Sequence, residues 1–102
     1  MPLFLLMSNL TPEGQQTLHR QPERLFEVNR EVEAFGCKIM AQYAVLGNFD
    51  FATIVEAPDT KTVAQLSLDL GSRGTVAIST MPAIPIEDFL IQLKATKKVG
   101  EG

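Results

Sequence analysis

The sequence predicts an α+β domain built on a four-stranded antiparallel sheet, and three observations lead to this fold class. Short apolar runs of strand length alternate with segments that have helical spacing. The pair Gly47-Asn48 separates two of the apolar runs and indicates a β-hairpin, because both residues adopt positive φ at low cost. The length of 102 residues is enough for one domain.

The first third of the chain predicts a strand and two helical segments. Residues 3–10 form a nearly continuous apolar run, as in a strand buried on both faces. The triplet 11–13 (Thr-Pro-Glu) is a helix-start signal, and Pro22 interrupts the helical segment after it, so we expect a short turn or helix at 12–19 and a restart at 22–24. Four apolar residues then share one helix face before Gly36 ends the helix: Leu25, Val28, Val32 and Phe35.

The predicted hairpin occupies residues 37–46 and 49–57. A turn at Gly47-Asn48 pairs Tyr43 with Ala52 and Val45 with Asp50. Strict alternation then places Ile39 on the same face as these residues. The opposite face carries Met40, Gln42, Ala44, Leu46, Phe49, Phe51, Thr53 and Val55.

The rest of the chain predicts a helix, a strand and a last helix. Asp59 caps the helix, and residues 71–74 end it. One face of this helix carries Val63, Leu66, Ser67 and Leu70. Residues 75–81 form the fourth strand, which Pro82 and Pro85 close. The C-terminal helix is marked by Ile86, Phe89, Leu90 and Leu93. We expect one domain over residues 1–97 and a flexible tail over residues 98–102.

The element order βαββαβα predicts a ferredoxin-like sheet. Right-handed crossovers place the third strand between the first and the second. The two main helices cover only one face of such a sheet, yet the strands are apolar on both faces. A second copy of the chain is the expected cover for the other face, which gives a sheet-to-sheet homodimer of the dimeric α/β-barrel type. The alternative is that the C-terminal helix covers part of this face.

Composition argues against several function classes. The net charge is −3 and the pI is about 5.0, with no basic stripe, so we expect no nucleic-acid partner. No run approaches the ~20 apolar residues that a membrane span needs. A single cysteine, Cys37, rules out an intrachain disulfide and fits a reducing, cytoplasmic location. Neither a metal-ligand spacing nor a cofactor motif is recognisable.

Asp50 and Tyr43 are the candidate catalytic residues. Asp50 lies just after the turn, where β-propensity does not favour a carboxylate, and the predicted register places it on the face of Tyr43. A tyrosine hydroxyl beside a carboxylate can orient a ligand or relay a proton. The alternative interpretation is that Asp50 accepts backbone N–H bonds at the turn and that Tyr43 is a core aromatic residue.

Several other polar residues have a functional and a structural interpretation. Asn9 either reaches the same pocket as Asp50 or makes a turn before the Thr11 cap, and Thr53 is either a ligand contact or an ordinary strand residue. His19 is better explained as a solvated residue than as a haem ligand. The 71–74 segment, Gly-Ser-Arg-Gly, is better explained as a helix stop than as an anion cradle.

The short motifs together resemble the GYD-domain family over residues 1 to about 93. They are Asn9-x-Thr11-Pro12-x-Gly14, Pro22-Glu23-Arg24, Tyr43-x-x-Leu46-Gly47-x-Phe49-Asp50, Glu56-Ala57-Pro58-Asp59 and Leu70-Gly71-Ser72-x-Gly74. The family motif has tyrosine where this chain has Phe49, so any role of that hydroxyl is missing. The resemblance implies a small cytosolic protein with a ferredoxin-like, dimeric fold. It implies no established activity.

Two functions remain as hypotheses. The first is a homo-oligomeric binding module that holds a small organic ligand between sheet and helices or at the subunit interface, with Asn9, Tyr43, Asp50 and Thr53 as ligand contacts. The second is a cofactor-independent oxygenase or isomerase that acts on a small apolar substrate with Asp50 as base and Tyr43 as orienter. The shortage of ionisable groups among the apolar strands favours the first hypothesis.

Overall fold

The computed structural model describes residues 1–95, which form four strands and four helices. In chain order they are β1 (Leu3–Leu10), α1 (Pro12–Arg20), α2 (Arg24–Ala34), β2 (Lys38–Ala44), β3 (Phe51–Glu56), α3 (Thr60–Gly71), β4 (Val76–Ala83) and α4 (Ile86–Ala95). The tail predicted over residues 98–102 lies outside the described residues.

The four strands form one antiparallel sheet in the order β2-β3-β1-β4. The third strand therefore lies between the first and the second, and the predicted α+β, ferredoxin-like fold is confirmed. The buried core lies between one face of this sheet and helices α2 and α3. Its members are Phe4, Leu6, Val32, Cys37, Val55, Ala57, Val63, Leu66 and Leu70.

Local capping explains where the helices begin and end. The Thr11 hydroxyl accepts a hydrogen bond from the Gly14 N–H at 3.1 Å, and this bond satisfies a free donor of the first turn of α1. The Asp59 carboxylate does the same for the Thr62 N–H at 2.8 Å at the start of α3. After α2, Gly36 adopts a φ of +84°, which favours glycine and stops the helix. These signals confirm the predicted helices.

The hairpin differs from the prediction at its turn. Strand β2 ends at Ala44 and β3 begins at Phe51, so both strands are shorter than expected. Gly47 has a φ of +105°, as a hairpin turn would require, but within residues 1–95 no residue other than glycine has a positive φ. Asn48 is therefore not in the left-handed region, and the predicted two-residue turn at Gly47-Asn48 is wrong. The predicted register is nevertheless confirmed for the half of the hairpin next to the turn, because Tyr43 pairs with Ala52 and the Val45 N–H donates to the Asp50 carbonyl at 2.9 Å.

A β-bulge at Met40 corrects the predicted faces of β2. Ile39 pairs with Val55 and Ala41 pairs with Ile54, so the register shifts by one residue between Ile39 and Ala41. The extra residue reverses the alternation that precedes it. Ile39 therefore packs against the core beneath the helices and does not share the face of Tyr43.

Strand β4 also runs further than predicted. It continues through Pro82, which is paired in register with Phe4, to Ala83. A proline fits here because β4 is an edge strand, where one side of the backbone has no neighbouring strand to receive a hydrogen bond.

Two apolar surfaces remain exposed among the described residues. The first is the sheet face away from α2 and α3, which we call the open face, and its members include Leu5, Met7, Tyr43, Ala52, Ile54, Ser79 and Met81. The second consists of α4 and Ile84, which lies two residues before it. Every large apolar side chain of this surface is exposed: Ile84, Ile86, Phe89, Leu90, Ile91 and Leu93. Across residues 1–95, no helix is long and apolar enough to cross a bilayer.

Candidate functional site

A cavity of about 450 Å³ lies between the sheet and the helices. Its walls come from the helix-facing residues of all four strands and from α1, α2 and α3, and most of them are aliphatic. Val28, Val32, Ile39 and Val55 are examples. This volume falls within the range of small-molecule sites, and apolar walls with a few polar groups are typical of such sites.

Three neutral side chains form a hydrogen-bonded network in the wall of this cavity. The Asn29 Nδ2 donates to the Gln42 Oε1 at 2.8 Å, and the Gln42 Nε2 donates to the Asn29 Oδ1 at 3.2 Å. The same Gln42 nitrogen also donates to the Thr53 Oγ1 at 3.2 Å. Thr53 is buried and pairs with Gln42 across β2 and β3. Since the Thr53 hydroxyl accepts in this network, its own proton is available to a ligand acceptor.

Two arginines in the cavity wall meet acidic residues at the surface. Arg24, on α2, contacts Glu27 at 2.6 Å and Glu31 at 3.8 Å. Arg73, in the loop after α3, forms an ion pair with the same Glu31. The hydrogen bond from Arg73 lowers the pKa of the Glu31 carboxyl, with a smaller contribution from Arg24, and the hydrogen bond to Glu27 raises the pKa of Arg24. Glu31 is thus a carboxylate held between two guanidinium groups.

Asp50 makes three contacts that join neighbouring segments. Its Oδ2 accepts from the Leu10 N–H at 2.8 Å, and its own N–H donates to the Ser8 carbonyl at 2.9 Å. Its carbonyl accepts from the Val45 N–H. The carboxylate therefore satisfies a backbone donor at the end of β1, which is the structural alternative considered from the sequence, although the donor belongs to a strand 40 residues away and not to the turn.

The four predicted ligand contacts do not line one cavity. Thr53 lies in the helix-side cavity, whereas Tyr43 is 59% exposed on the open face. Asn9, which pairs with Ala77, alternates to the same face as Tyr43. The functional roles predicted for Asn9, Tyr43, Asp50 and Thr53 stay predictions, and of these four residues only Thr53 lines the helix-side cavity.

The remaining candidates occupy ordinary positions. His19 is exposed on α1. Cys37 is buried in the core, and this burial raises the pKa of its thiol. Within residues 1–95 no three His, Cys, Asp or Glu side chains are grouped as a metal site would require.

Gln42, Asn29, Arg24 and Arg73 were not predicted as site residues. Gln42 had a detectable signal, because it is an amide within the apolar run 39–45. Asn29 directly follows Val28 on the core-facing side of α2. Arg73 did have a signal, because it belongs to the 71–74 segment that was weighed above as an anion cradle and explained as a helix stop. Arg24 shares α2 with Glu31, whereas Arg73 reaches Glu31 only when the loop after α3 meets α2.

The fold and the cavity define a small α+β domain of ferredoxin-like topology with a mainly apolar cavity between sheet and helices. The family model described as GYD domain matches residues 4–91, and the chain belongs to this family. The resemblance drawn from the short motifs is thereby confirmed.

A curated relative extends this comparison. The chain is 50% identical over 95 residues to a protein of Thermus thermophilus named "Glutamine synthetase and cystathionine beta-lyase binding protein". The match covers 92% of this chain and 100% of the relative. No solved structure matches the chain at a level that would establish a relationship.

Proposed function

We propose that the protein is a non-catalytic binding protein that docks on an enzyme of amino-acid metabolism and holds a small organic ligand in its helix-side cavity. The observation that carries the docking role is α4, whose large apolar side chains are all exposed. Exposed apolar surface of this extent is typical of protein-interaction sites. The relative's name supplies the class of partner, since that protein is named for binding glutamine synthetase and cystathionine β-lyase.

The ligand role is supported by the cavity and its neutral polar network. Thr53 is the predicted contact that supports it, because the residue lies in the cavity wall and its hydroxyl proton is available. The alternative reaction with Asp50 and Tyr43 has weaker support. The Asp50 carboxylate already accepts from the Leu10 N–H, and Tyr43 lies exposed on the open face. A binding role in the cytoplasm also fits the single buried thiol.

The docking role is tested by measuring binding of purified glutamine synthetase and cystathionine β-lyase from the same organism to the immobilised protein. Ile91→Asp places a charge on α4, and Leu68→Asp is a matched control because Leu68 on α3 is 73% exposed and Ile91 is 65% exposed. We expect Ile91→Asp to weaken binding of at least one enzyme about tenfold, as loss of an apolar anchor does, and Leu68→Asp to leave binding unchanged. Equal affinities for both variants, or no binding by the unmodified protein, would contradict the proposal.

A further inference from the structure

Glu31 occupies a position that a ligand carboxylate fits equally well. Its carboxylate lies between Arg24 and Arg73, and both arginines line the cavity, whereas Glu31 is not part of the cavity wall. Paired guanidinium groups are strong and geometrically specific partners of a carboxylate. The chain thus supplies its own carboxylate to an anion site at the edge of an apolar cavity.

The Glu31 contacts are of a kind that a ligand can replace. The side chains of Glu31, Arg24 and Arg73 are each more than a third exposed. Ion pairs at such exposure are weak, because water screens the charges and solvates each partner when they separate. Glu31 can therefore turn into solvent while the two guanidinium groups keep a new anionic partner.

The interior of the cavity limits what the rest of the ligand is. Apart from Arg24 and Arg73, every residue that lines the cavity is uncharged. A charged group deep in this space would lose its hydration without gaining a partner. The body of the ligand is therefore uncharged and mainly apolar, with at most a carbonyl or hydroxyl placed at the network of Asn29, Gln42 and Thr53.

We propose that the cavity binds a small apolar monocarboxylate, whose carboxylate replaces Glu31 between Arg24 and Arg73 while its uncharged body fills the space above the sheet. This inference rests on the ligand role proposed above and specifies its chemistry. The ligand class is a short branched or aromatic acid, because the cavity of about 450 Å³ has room for only a small molecule.

The experiment compares acids with amides of the same carbon skeleton. The full-length protein, labelled with ¹⁵N, is titrated with phenylacetate and phenylacetamide, and with 4-methylpentanoate and 4-methylpentanamide. The side-chain amide signals of Asn29 and Gln42 report on the cavity, since both side chains lie in its wall. We expect saturable shifts of these signals with the acids and at least about fivefold weaker binding of the amides, which keep the shape but lose the charge.

Two variants with opposite expected effects separate ligand recognition from general damage. Glu31→Gln removes the competing carboxylate and should tighten binding of the acids about twofold to fivefold, the range expected for one exposed ion pair. Arg73→Gln should weaken binding of the acids about tenfold. Neither change should alter binding of the amides. Glu33→Gln is the control for Glu31→Gln, and Arg30→Gln is the control for Arg73→Gln. Each control removes a charge of the same sign from another position, on α2.

Each contrary outcome has a distinct meaning. If amides bind as tightly as acids, or if Glu31→Gln weakens the binding of acids, the carboxylate assignment is overturned and the proposed cavity ligand still stands. If neither acids nor amides move the Asn29 and Gln42 signals, both the carboxylate assignment and the cavity ligand are overturned. Docking on an enzyme is measured separately through Ile91 and is not decided by these titrations.

Discussion

Among single residues, Asp50 makes the contacts with the clearest energetic consequence. We expect Asp50→Ala to lower the free energy of unfolding by about 1–3 kcal/mol, because the Leu10 N–H loses a charged acceptor in a partly buried place. Asp50→Asn should lose less, since its amide oxygen can still accept this hydrogen bond. Urea unfolding of the two variants measures the difference. Unfolding free energies unchanged in both variants would show that the contact to Leu10 does not stabilise the fold.

At the same scale, the Asp59 carboxylate gives a pH dependence with a defined sign. Hydrogen bonds from the Thr62 N–H and then from the Thr62 hydroxyl lower the pKa of Asp59 below its ordinary value of 3.8. Its contribution to stability is therefore present above that ordinary value and is lost as the pH falls through the lower pKa of the folded state.

Comparison with Asp59→Asn measures this contribution. Thermal unfolding midpoints of the two proteins should differ at about pH 6, and the difference should shrink as the pH falls below 3.8 and the carboxyl group becomes protonated in the folded chain as well. A difference that stays constant over this range would mean that the charge of Asp59 is not what stabilises the start of α3.

At the scale of elements, the close approach of α1 to β4 depends on Gly14. A Cβ atom at this position would lie 2.1 Å from the carbonyl oxygen of Thr75, which belongs to the backbone and cannot move aside freely. The same carbonyl accepts from the Thr11 N–H at 3.0 Å, so the start of α1 is held against the segment that leads into β4.

Gly14→Ala should therefore destabilise the protein by about 2–3 kcal/mol, as overpacking against a fixed backbone does. Gly71→Ala is the matched control, since Gly71 also lies in a helix and a Cβ there meets no atom within 4 Å. We expect Gly71→Ala to be neutral or slightly stabilising. Similar unfolding free energies for the two variants would contradict the packing argument.

At the scale of the whole molecule, the open face remains to be covered. The face is apolar over several strands, and the predicted cover is a second copy of the chain. We propose this sheet-to-sheet homodimer as the assembly that leaves α4 free for a partner enzyme. The proposal concerns a different surface from the cavity and from α4, so each is tested by its own variants.

Met81→Glu tests the assembly, because Met81 is 41% exposed on the open face and a carboxylate there would be buried in a dimer without a partner. Sedimentation velocity should show the unmodified protein as a dimer and Met81→Glu as a monomer or a much weaker dimer. Leu68→Glu, on the exposed side of α3, should sediment like the unmodified protein. A monomeric unmodified protein would contradict the proposed dimer.

Local sequence signals predicted most of the elements. Periodicity and capping act within a few residues, so they can be recognised in the sequence. They predicted the bounds of β1, the Thr11 and Asp59 caps, the stop at Gly36 and the inward faces of α2 and α3. The topology was predicted as well, since right-handed crossovers leave few arrangements for this order of elements.

The sequence by itself thus determined the fold class, the order of the strands and the ends of most helices. Tertiary structure alone decided the bulge at Met40, the position of Gln42 beside Asn29, and the placement of Glu31 between Arg24 and Arg73. These features depend on contacts between residues far apart in the chain. A local sequence pattern does not show which distant residue a side chain will contact. The candidate site is built almost entirely from such contacts.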